Sequence, residues 1–598
     1  MNSLNTLNEA WLKAGEVLFP RLFCLILKYN KGYTHHAKFQ LVMGCGVVNC
    51  WLISMRVLLL STPHPLEESP LPPLSLSYLA SVLDREGTEV KILDFLVTRY
   101  YPRKLRQELE EYRPQLVGAT CVTLNYPIAA RMLKICKAFD PAIVTVIGGP
   151  HVTFALEETL LQAPWIDAIV IGEGERTIAE LAMAVEEGKD FHQVAGIAFL
   201  DGGIVVKTSP QTRIENLDQI PPPARRLLPM ARYRALGTPC TVITSRGCPY
   251  SCIFCSGRRM FGPKVRFRNP GLVVDEIEQI QRDFGSTQIN IVDDTFTLNH
   301  RHARAVCEEL LRRNLKIKWS VFARVDTVTE DLAQLMKRAG CEWMLFGVES
   351  ADEEILKTIR KGITPDEVVR GVKIAAEAGI GVFNSFILGL PGESWDTAMK
   401  SMAFADELYC KYGAKYGFHI LSPLPGTELY ERAKDYGIRI LSRNWTRYNA
   451  NEPITETASI SKEMIKEAIS IYDWAVECAW DYIKLQAKSG DAQCAEMVEG
   501  KNKETFVWTL LQRDVIEGLG RMAATTALNP SDAEAELARR VSQKMGIHIA
   551  VVQRRLRELV AKGVLRLEPE GDGLQWRWSE TQKLGTAGEA VLATCSET

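Results

Sequence analysis

Twice along this chain, short runs that are apolar at almost every position alternate with amphipathic helical stretches, and that alternation limits the fold class before any motif is considered. Between Met55 and about residue 200 the runs are RVLLLS (56–61), VKILDF (90–95), LVGATCV (116–122), IVTVIGG (143–149) and AIVIG (168–172). Patterns such as LSLSYLASVLDREG separate them. Strands apolar on both faces and joined through helices form a parallel sheet covered on two sides, the doubly wound (Rossmann-like) α/β arrangement. Ligands of such sheets bind outside the carboxyl ends of the strands. Those ends carry Thr123, Gly148, Gly149, His151 and the run Gly172-Glu173-Gly174-Glu175. Small and polar groups there let the backbone approach a large flat cofactor.

A connector, 201–236, contains Pro221-Pro222-Pro223, which suits neither a helix interior nor a central strand. It separates the first domain, 55–200, from a second series spanning 237–450, with strands expected at 240–245, 288–293, 317–322, 343–348, 380–388 and 416–421. Six strand–helix units with right-handed crossovers predict a partial TIM-like barrel, its site at the strand carboxyl ends. A helical segment, 451–500, leads to a break near residue 500 and a tail, 501–598. There AEAELARRVSQKMG and HIAVVQRRLRELVAKG read as two helices and VLRLEPEGDGLQWRWS as a two-stranded wing, a winged-helix-like order. Arg554, Arg555, Arg557 and Lys562 make a candidate binding face on the second helix, with an ordinary solvated surface as the plain alternative.

A net charge of −2 argues against nucleic-acid binding, which depends on neutralising phosphates. Fifteen cysteines in 598 residues are too sparse for a disulfide scaffold. Cys121, Cys136, Cys307, Cys341, Cys410 and Cys478 read as small core residues of a cytoplasmic protein with reduced thiols. Residues 1–54 fit neither series. RLFCLILKYN is too short for a membrane span of about 20 residues, no secretory cleavage site is evident, and no transmembrane segment is expected elsewhere. Met55, opening MRVLLLS, is the expected start, and 1–54 an upstream extension.

One group of cysteines resists the core reading. In SRGCPYSCIFC, Cys248, Cys252 and Cys255 stand at C-x3-C-x2-C spacing just after the first barrel strand. Three thiolates so close can ligate zinc or hold an iron–sulfur cluster. Zinc wants four ligands and no second pair lies nearby, whereas a cubane held by three cysteines leaves one iron open.

GCPYSCIFC resembles the cluster loop of the radical S-adenosylmethionine (radical SAM) superfamily. PPLSLSYLASVLDREG, GGPHVT and GEGE are similar to the cobalamin-binding domain that precedes the barrel in one branch of it, and together the two likenesses cover about residues 55–450. The resemblance implies a 4Fe-4S cluster on Cys248, Cys252 and Cys255, with S-adenosylmethionine filling the fourth iron position. It implies cleavage to a 5'-deoxyadenosyl radical, driven by an electron donor such as flavodoxin or ferredoxin. Phe254 would lie against the adenine, Val292, Asp293 and Asp294 near the methionine amino group, and Glu349 near the ribose. Arg324 and the Gly389–Glu393 turn would complete that site. Without the triplet, Asp293 and Asp294 would read as a helix N-cap and Glu349 as a surface ion pair. On the cobalamin side the implied contacts are Thr123, Gly148, Gly149, His151, Gly172, Glu173 and Gly174. The D-x-H-x-x-G loop of other cobalamin domains is absent, and His64 lacks a neighbouring aspartate to orient it. No histidine ligand to cobalt is expected from that mode.

The two cofactors imply methylation of a carbon centre in an unknown small-molecule or peptide substrate. Cobalamin-dependent cyclisation or rearrangement shares every motif. A peptide-modifying enzyme whose winged helix binds a leader peptide is a further alternative.

Overall fold

The computed structural model describes residues 39–43, 46–50, 55–63, 70–522, 530–571 and 573–579; His64 lies outside them. Met1–Ser54 forms one unit and Met55–Thr598 a second. In the first, β1 (Phe39–Met43) pairs antiparallel with β2 (Gly46–Cys50), Phe39 opposite Cys50.

In the second unit the continuously apolar runs become β3 (Arg56–Leu60), β4 (Glu89–Leu93), β5 (Leu116–Thr120), β6 (Val144–Gly148) and β7 (Ala168–Val170). They lie parallel in the order β4-β3-β5-β6-β7. On β3, Val57 and Leu59 join a core continuous with the barrel, while Leu58 and Leu60 join a second core with Leu105, Leu109 and Leu133. Burial on both faces is why the run carries no polar alternation.

This sheet continues past its expected end. β8 (Ile197–Asp201) and β9 (Ile204–Lys207) extend it as an antiparallel hairpin. Gly202 and Gly203 close the hairpin at φ 55° and 84°, the paired positive φ of a tight two-residue turn. The irregular connector thus begins only after Lys207. It is pinned to both domains: Ala224 N–H donates to the Ser77 carbonyl at 2.9 Å, and Arg225 donates to the Thr241 carbonyl at 2.6 Å.

The six expected barrel strands are present, all parallel and in sequence order: β10 (Cys240–Val242), β13 (Gln288–Ile291), β14 (Lys318–Ala323), β15 (Cys341–Glu349), β16 (Gly381–Leu388) and β17 (Lys415–Ile420). The first is shorter than predicted. The chain leaves the sheet at Val242, and β11 (Ser245–Arg246) pairs antiparallel with β12 (Arg266–Phe267). That ribbon closes the base of the loop holding the three cysteines.

After a small ribbon, β18 (Arg439–Ile440) with β19 (Thr455–Glu456), helix Lys462–Lys488 packs against helix Ala492–Gln512. The turn falls at Ser489–Asp491, where the Asp491 carboxylate accepts from Cys494 N–H at 2.7 Å, and the second helix runs straight through the break expected near residue 500. The tail holds β20 (Arg521–Met522), helices Pro530–Met545 and Ile549–Ala561, and the hairpin β21 (Leu565–Glu570) with β22 (Gly573–Trp578). The basic face read on Ile549–Ala561 is largely neutralised from within. Arg555 is buried beside Glu499 and Glu558, Arg554 also meets Glu499, and Arg557 meets Glu534. Cys121, Cys136, Cys307 and Cys341 are buried as expected, but Cys410 and Cys478 are exposed on their helices. Among the described residues no helix is long and apolar enough to cross a membrane.

Candidate active site

A cavity of about 350 Å³ opens between the carboxyl ends of β3, β5, β6 and β7 and the first two barrel strands. Its depth is apolar, with Leu59, Val146, Val170 and Ile178, and its rim carries Gly148, Gly149, Gly172, Glu173 and Gly174. Gly149 has no substitute here: at φ 110°, a Cβ would lie 2.2 Å from the Cys121 carbonyl oxygen. Gly149→Ala is expected to destabilise the fold by more than about 2 kcal/mol and to reduce cobalamin retention, read by thermal unfolding and by cobalamin remaining after gel filtration.

Thr123 and His151 lie behind this rim rather than on it. His151 is buried, stacked on Tyr126 at 4.4 Å between centroids, edge-on to Trp445 at 5.0 Å, with Nδ1 3.3 Å from Thr123 Oγ1. Burial lowers its pKa to about 4, so it is neutral at pH 7. It packs as an aromatic core residue outside the cavity lining. His302, also lowered to about 4 by burial, reaches Thr244 Oγ1 with Nε2 at 3.0 Å. Each histidine protonates near its ordinary 6.5 once unfolded. Stability is therefore full above about pH 6.5 and falls towards pH 4, by on the order of 2–3 kcal/mol per histidine. Urea unfolding of cofactor-free protein at several pH values should show that slope, and His151→Phe should reduce it.

In the loop between β11 and β12, Cys248 and Cys252 are half-buried and Cys255 is exposed. The loop is anchored by backbone: Cys248 N–H donates to the Gly262 carbonyl at 3.1 Å and Ile253 N–H to the Ile359 carbonyl at 3.2 Å. The Ile253 carbonyl accepts from Leu429 N–H at 2.9 Å. Among the described residues no three His, Cys, Asp or Glu side chains converge as the ligands of one ion would. Thiolates that each hold a different corner of a cubane need no such convergence, so the donor set suits a cluster better than zinc. Phe254 is half-buried against the core.

The Asp293 carboxylate is buried and engaged within the chain. It accepts from Thr244 N–H at 2.6 Å, Thr244 Oγ1 at 2.5 Å and Ser245 Oγ at 2.7 Å, which fixes the step from β10 into the cysteine loop. Asp294 lines the cavity wall with Val292, its pKa raised by desolvation of the carboxyl inside the cavity and then by the charge of Asp293. Glu349 sits at φ 72°, a strained backbone for this residue, with its carboxylate 2.6 Å from Lys361 Nζ. Arg324 stacks over Tyr250 of the cysteine loop at 3.7 Å from the ring centroid, meets Asp326 twice at 3.0 Å and donates to the Lys361 carbonyl at 2.9 Å. In the Gly389–Glu393 turn, one Glu393 oxygen accepts from Gly389 N–H and the other has no partner among the described residues, while burial raises its pKa to about 8.

Comparison with known proteins finds the same two parts. A B12 binding domain model matches residues 68–182, and a radical SAM superfamily model matches 242–405. An uncharacterised methyltransferase of Pyrococcus horikoshii is 37% identical over 407 residues, covering 67% of this chain and 88% of the relative. The chain belongs to the cobalamin-binding radical SAM family. The anaerobic magnesium-protoporphyrin IX monomethyl ester cyclase of Rubrivivax gelatinosus is 31% identical over 416 residues, covering 67% of this chain and 73% of that one. In fold, the radical SAM enzyme OxsB with aqua-cobalamin and S-adenosylmethionine bound aligns with TM-score 0.62 at 17% identity, covering 90% of this chain and 85% of that one. TsrM of Kitasatospora setae, with cobalamin and a 4Fe-4S cluster, aligns with TM-score 0.57 at 22% identity, covering 69% of this chain and 84% of that one.

As a radical SAM enzyme the protein takes a 4Fe-4S cluster, S-adenosylmethionine and cobalamin. Cys248, Cys252 and Cys255 would hold the cluster, Asp294, Glu349 and Phe254 would border S-adenosylmethionine, and the glycine rim with its apolar depth would receive cobalamin. Inspection of the sequence missed Arg246, Tyr250 and Lys361. The signal for Arg246 was its position two residues before the first cysteine, opposite a paired-acid GEGE loop; Tyr250 and Lys361 left no local signal.

Proposed function

We propose that this enzyme methylates a carbon centre of a small molecule in the cytoplasm, with electrons from a flavodoxin- or ferredoxin-like donor. The observation that carries the reading is the single cavity bordered both by the glycine rim and by Asp294, Met260 and Phe261 of the cysteine-loop side. When bound there, the cofactors supply a carbon radical for hydrogen abstraction and a methyl group for transfer. The chain's own part is to keep the two within one cavity and away from bulk water. Asp293 ties the step from β10 into the cysteine loop to the end of β13, and Arg324 fixes Tyr250. The apolar depth excludes water.

The relative named a methyltransferase supports methyl transfer, and the cyclase relative keeps ring formation as a second reading. Leader-peptide binding by the tail gains no support, because its basic helix is largely ion-paired within the chain. The test is product analysis under reducing, oxygen-free conditions with S-adenosylmethionine, cobalamin and candidate substrates. S-adenosylhomocysteine formed together with 5'-deoxyadenosine and a product heavier by one methyl supports the proposal. A dehydrogenated or cyclised product formed with 5'-deoxyadenosine and no S-adenosylhomocysteine overturns it in favour of ring formation.

A further inference from the structure

The GEGE loop at the cavity rim is spent on an ion-pair bridge. Glu173 accepts from Arg246 Nη1 at 2.9 Å and from Arg266 Nη1 and Nη2 at 2.9 and 3.0 Å. Glu175 accepts from Arg246 Nη2 at 2.6 Å. All four side chains are at most 9% exposed. The Arg246 guanidinium also lies 5.3 Å from the ring centroid of Tyr78, on the helix after β3. Both carboxylates follow β7, Glu173 in the glycine-rim loop and Glu175 at the first position of helix Glu175–Glu187, and both guanidiniums belong to the ribbon β11–β12 that closes the cysteine loop. The bridge is charge-balanced, two against two.

Buried ion pairs contribute little net stability compared with apolar packing of the same volume, because desolvation offsets the attraction. What they impose is geometry: a guanidinium fork fits carboxylates at fixed angles, whereas an apolar contact can slide. Arg246 is also rigid on its other side, since its neighbour Ser245 and the preceding Thr244 are both tied to Asp293. The bridge thus joins the cysteine loop to the rim by polar contacts of defined direction, at the wall of the shared cavity.

We propose that Arg246, gripped by Glu173 and Glu175, is a positioning residue that sets the spacing between the cysteine loop and the glycine rim, and hence between the two cofactors. This rests on the two-cofactor reading of the cavity. Glu173, expected to contact cobalamin directly, acts here through the bridge.

The experiment compares full-length wild-type, Arg246→Gln, Arg246→Lys and Glu175→Gln proteins. Amide hydrogen exchange is measured on cofactor-free protein. On reconstituted protein, cluster and cobalamin content are measured, together with broadening of the cob(II)alamin paramagnetic signal by the reduced cluster. In Arg246→Gln, exchange at 171–176 and 244–248 is expected to rise at least tenfold while the barrel strands keep wild-type protection. Cofactor content should stay within twofold and the broadening should change; Arg246→Lys should fall between. Unchanged exchange and broadening would overturn the proposal, as would a uniform rise in exchange across the chain, which marks a purely structural bridge. If Arg246→Gln fails to fold, Glu175→Gln decides, since it removes one pair and leaves Glu173 in place; the same two segments should respond, more weakly, and no response overturns the proposal. Failure of wild-type protein to bind cobalamin would sink the functional reading, while the exchange measurement would still judge the bridge.

Discussion

Cys252→Ala protein is expected to lose its iron, its iron–sulfur absorbance and all cleavage of S-adenosylmethionine while remaining folded. Cys252 stands midway in the loop, and its neighbour Ile253 is 1% exposed and bonded through its backbone on both sides. The loop therefore keeps its course when the thiol is removed. A three-thiolate cluster has no spare protein ligand, so losing one leaves two irons without protein anchorage. The measurement is iron and sulfide content with 5'-deoxyadenosine formation, set beside Cys410→Ala. Cys410 is exposed on helix Trp395–Tyr412, outside the loop, and its removal should change neither quantity. Full cleavage activity in Cys252→Ala would refute the assignment of the cluster.

The central strands of the first sheet were legible because β3, β5, β6 and β7 are buried on both faces, and such burial writes itself as an unbroken apolar run. The cysteine loop was legible because its three thiols lie within eight residues. What stayed hidden depends on partners distant in sequence. Glu173 reads locally as a rim ligand, and only the fold brings it to Arg246, 73 residues away. His151 shares a glycine-rich loop with cavity residues, yet Tyr126 and Trp445 turn it into the core. Asp293 and Asp294 are adjacent, and Thr244 and Ser245 absorb the first while the second stays at the cavity. The hairpin at Gly202-Gly203 was passed over because its strands are short and adjoin the proline-rich connector. The break expected near Gly500 failed for a different reason. A glycine inside a helix costs only about 1 kcal/mol, which the packing of Phe506, Leu510 and Leu511 offsets.

Glu276→Ala should be the most destabilising of these substitutions, at about 3–5 kcal/mol. The Glu276 side chain is 1% exposed, with Oε1 2.6 Å from Arg225 Nη2 and Oε2 2.7 Å from Arg268 Nη2. Removing it strands two buried guanidiniums, and Arg225 lies in the connector while Arg268 precedes the first barrel helix, Pro270–Phe284. The loss should therefore loosen the connector where Arg225 reaches the Thr241 carbonyl, and with it the wall of the shared cavity. Denaturant unfolding of cofactor-free protein would give the stability change, and cobalamin retention would show whether the cavity follows. The triple variant Glu276→Met, Arg225→Met, Arg268→Leu separates charge from shape. It removes all three charges at similar volume and should recover most of the stability, because apolar packing can replace a buried ion-pair network. Cobalamin retention should recover less than stability, since apolar side chains fill the space without fixing the angle between connector and barrel. Equal recovery of both would mean that packing alone holds the two domains in register.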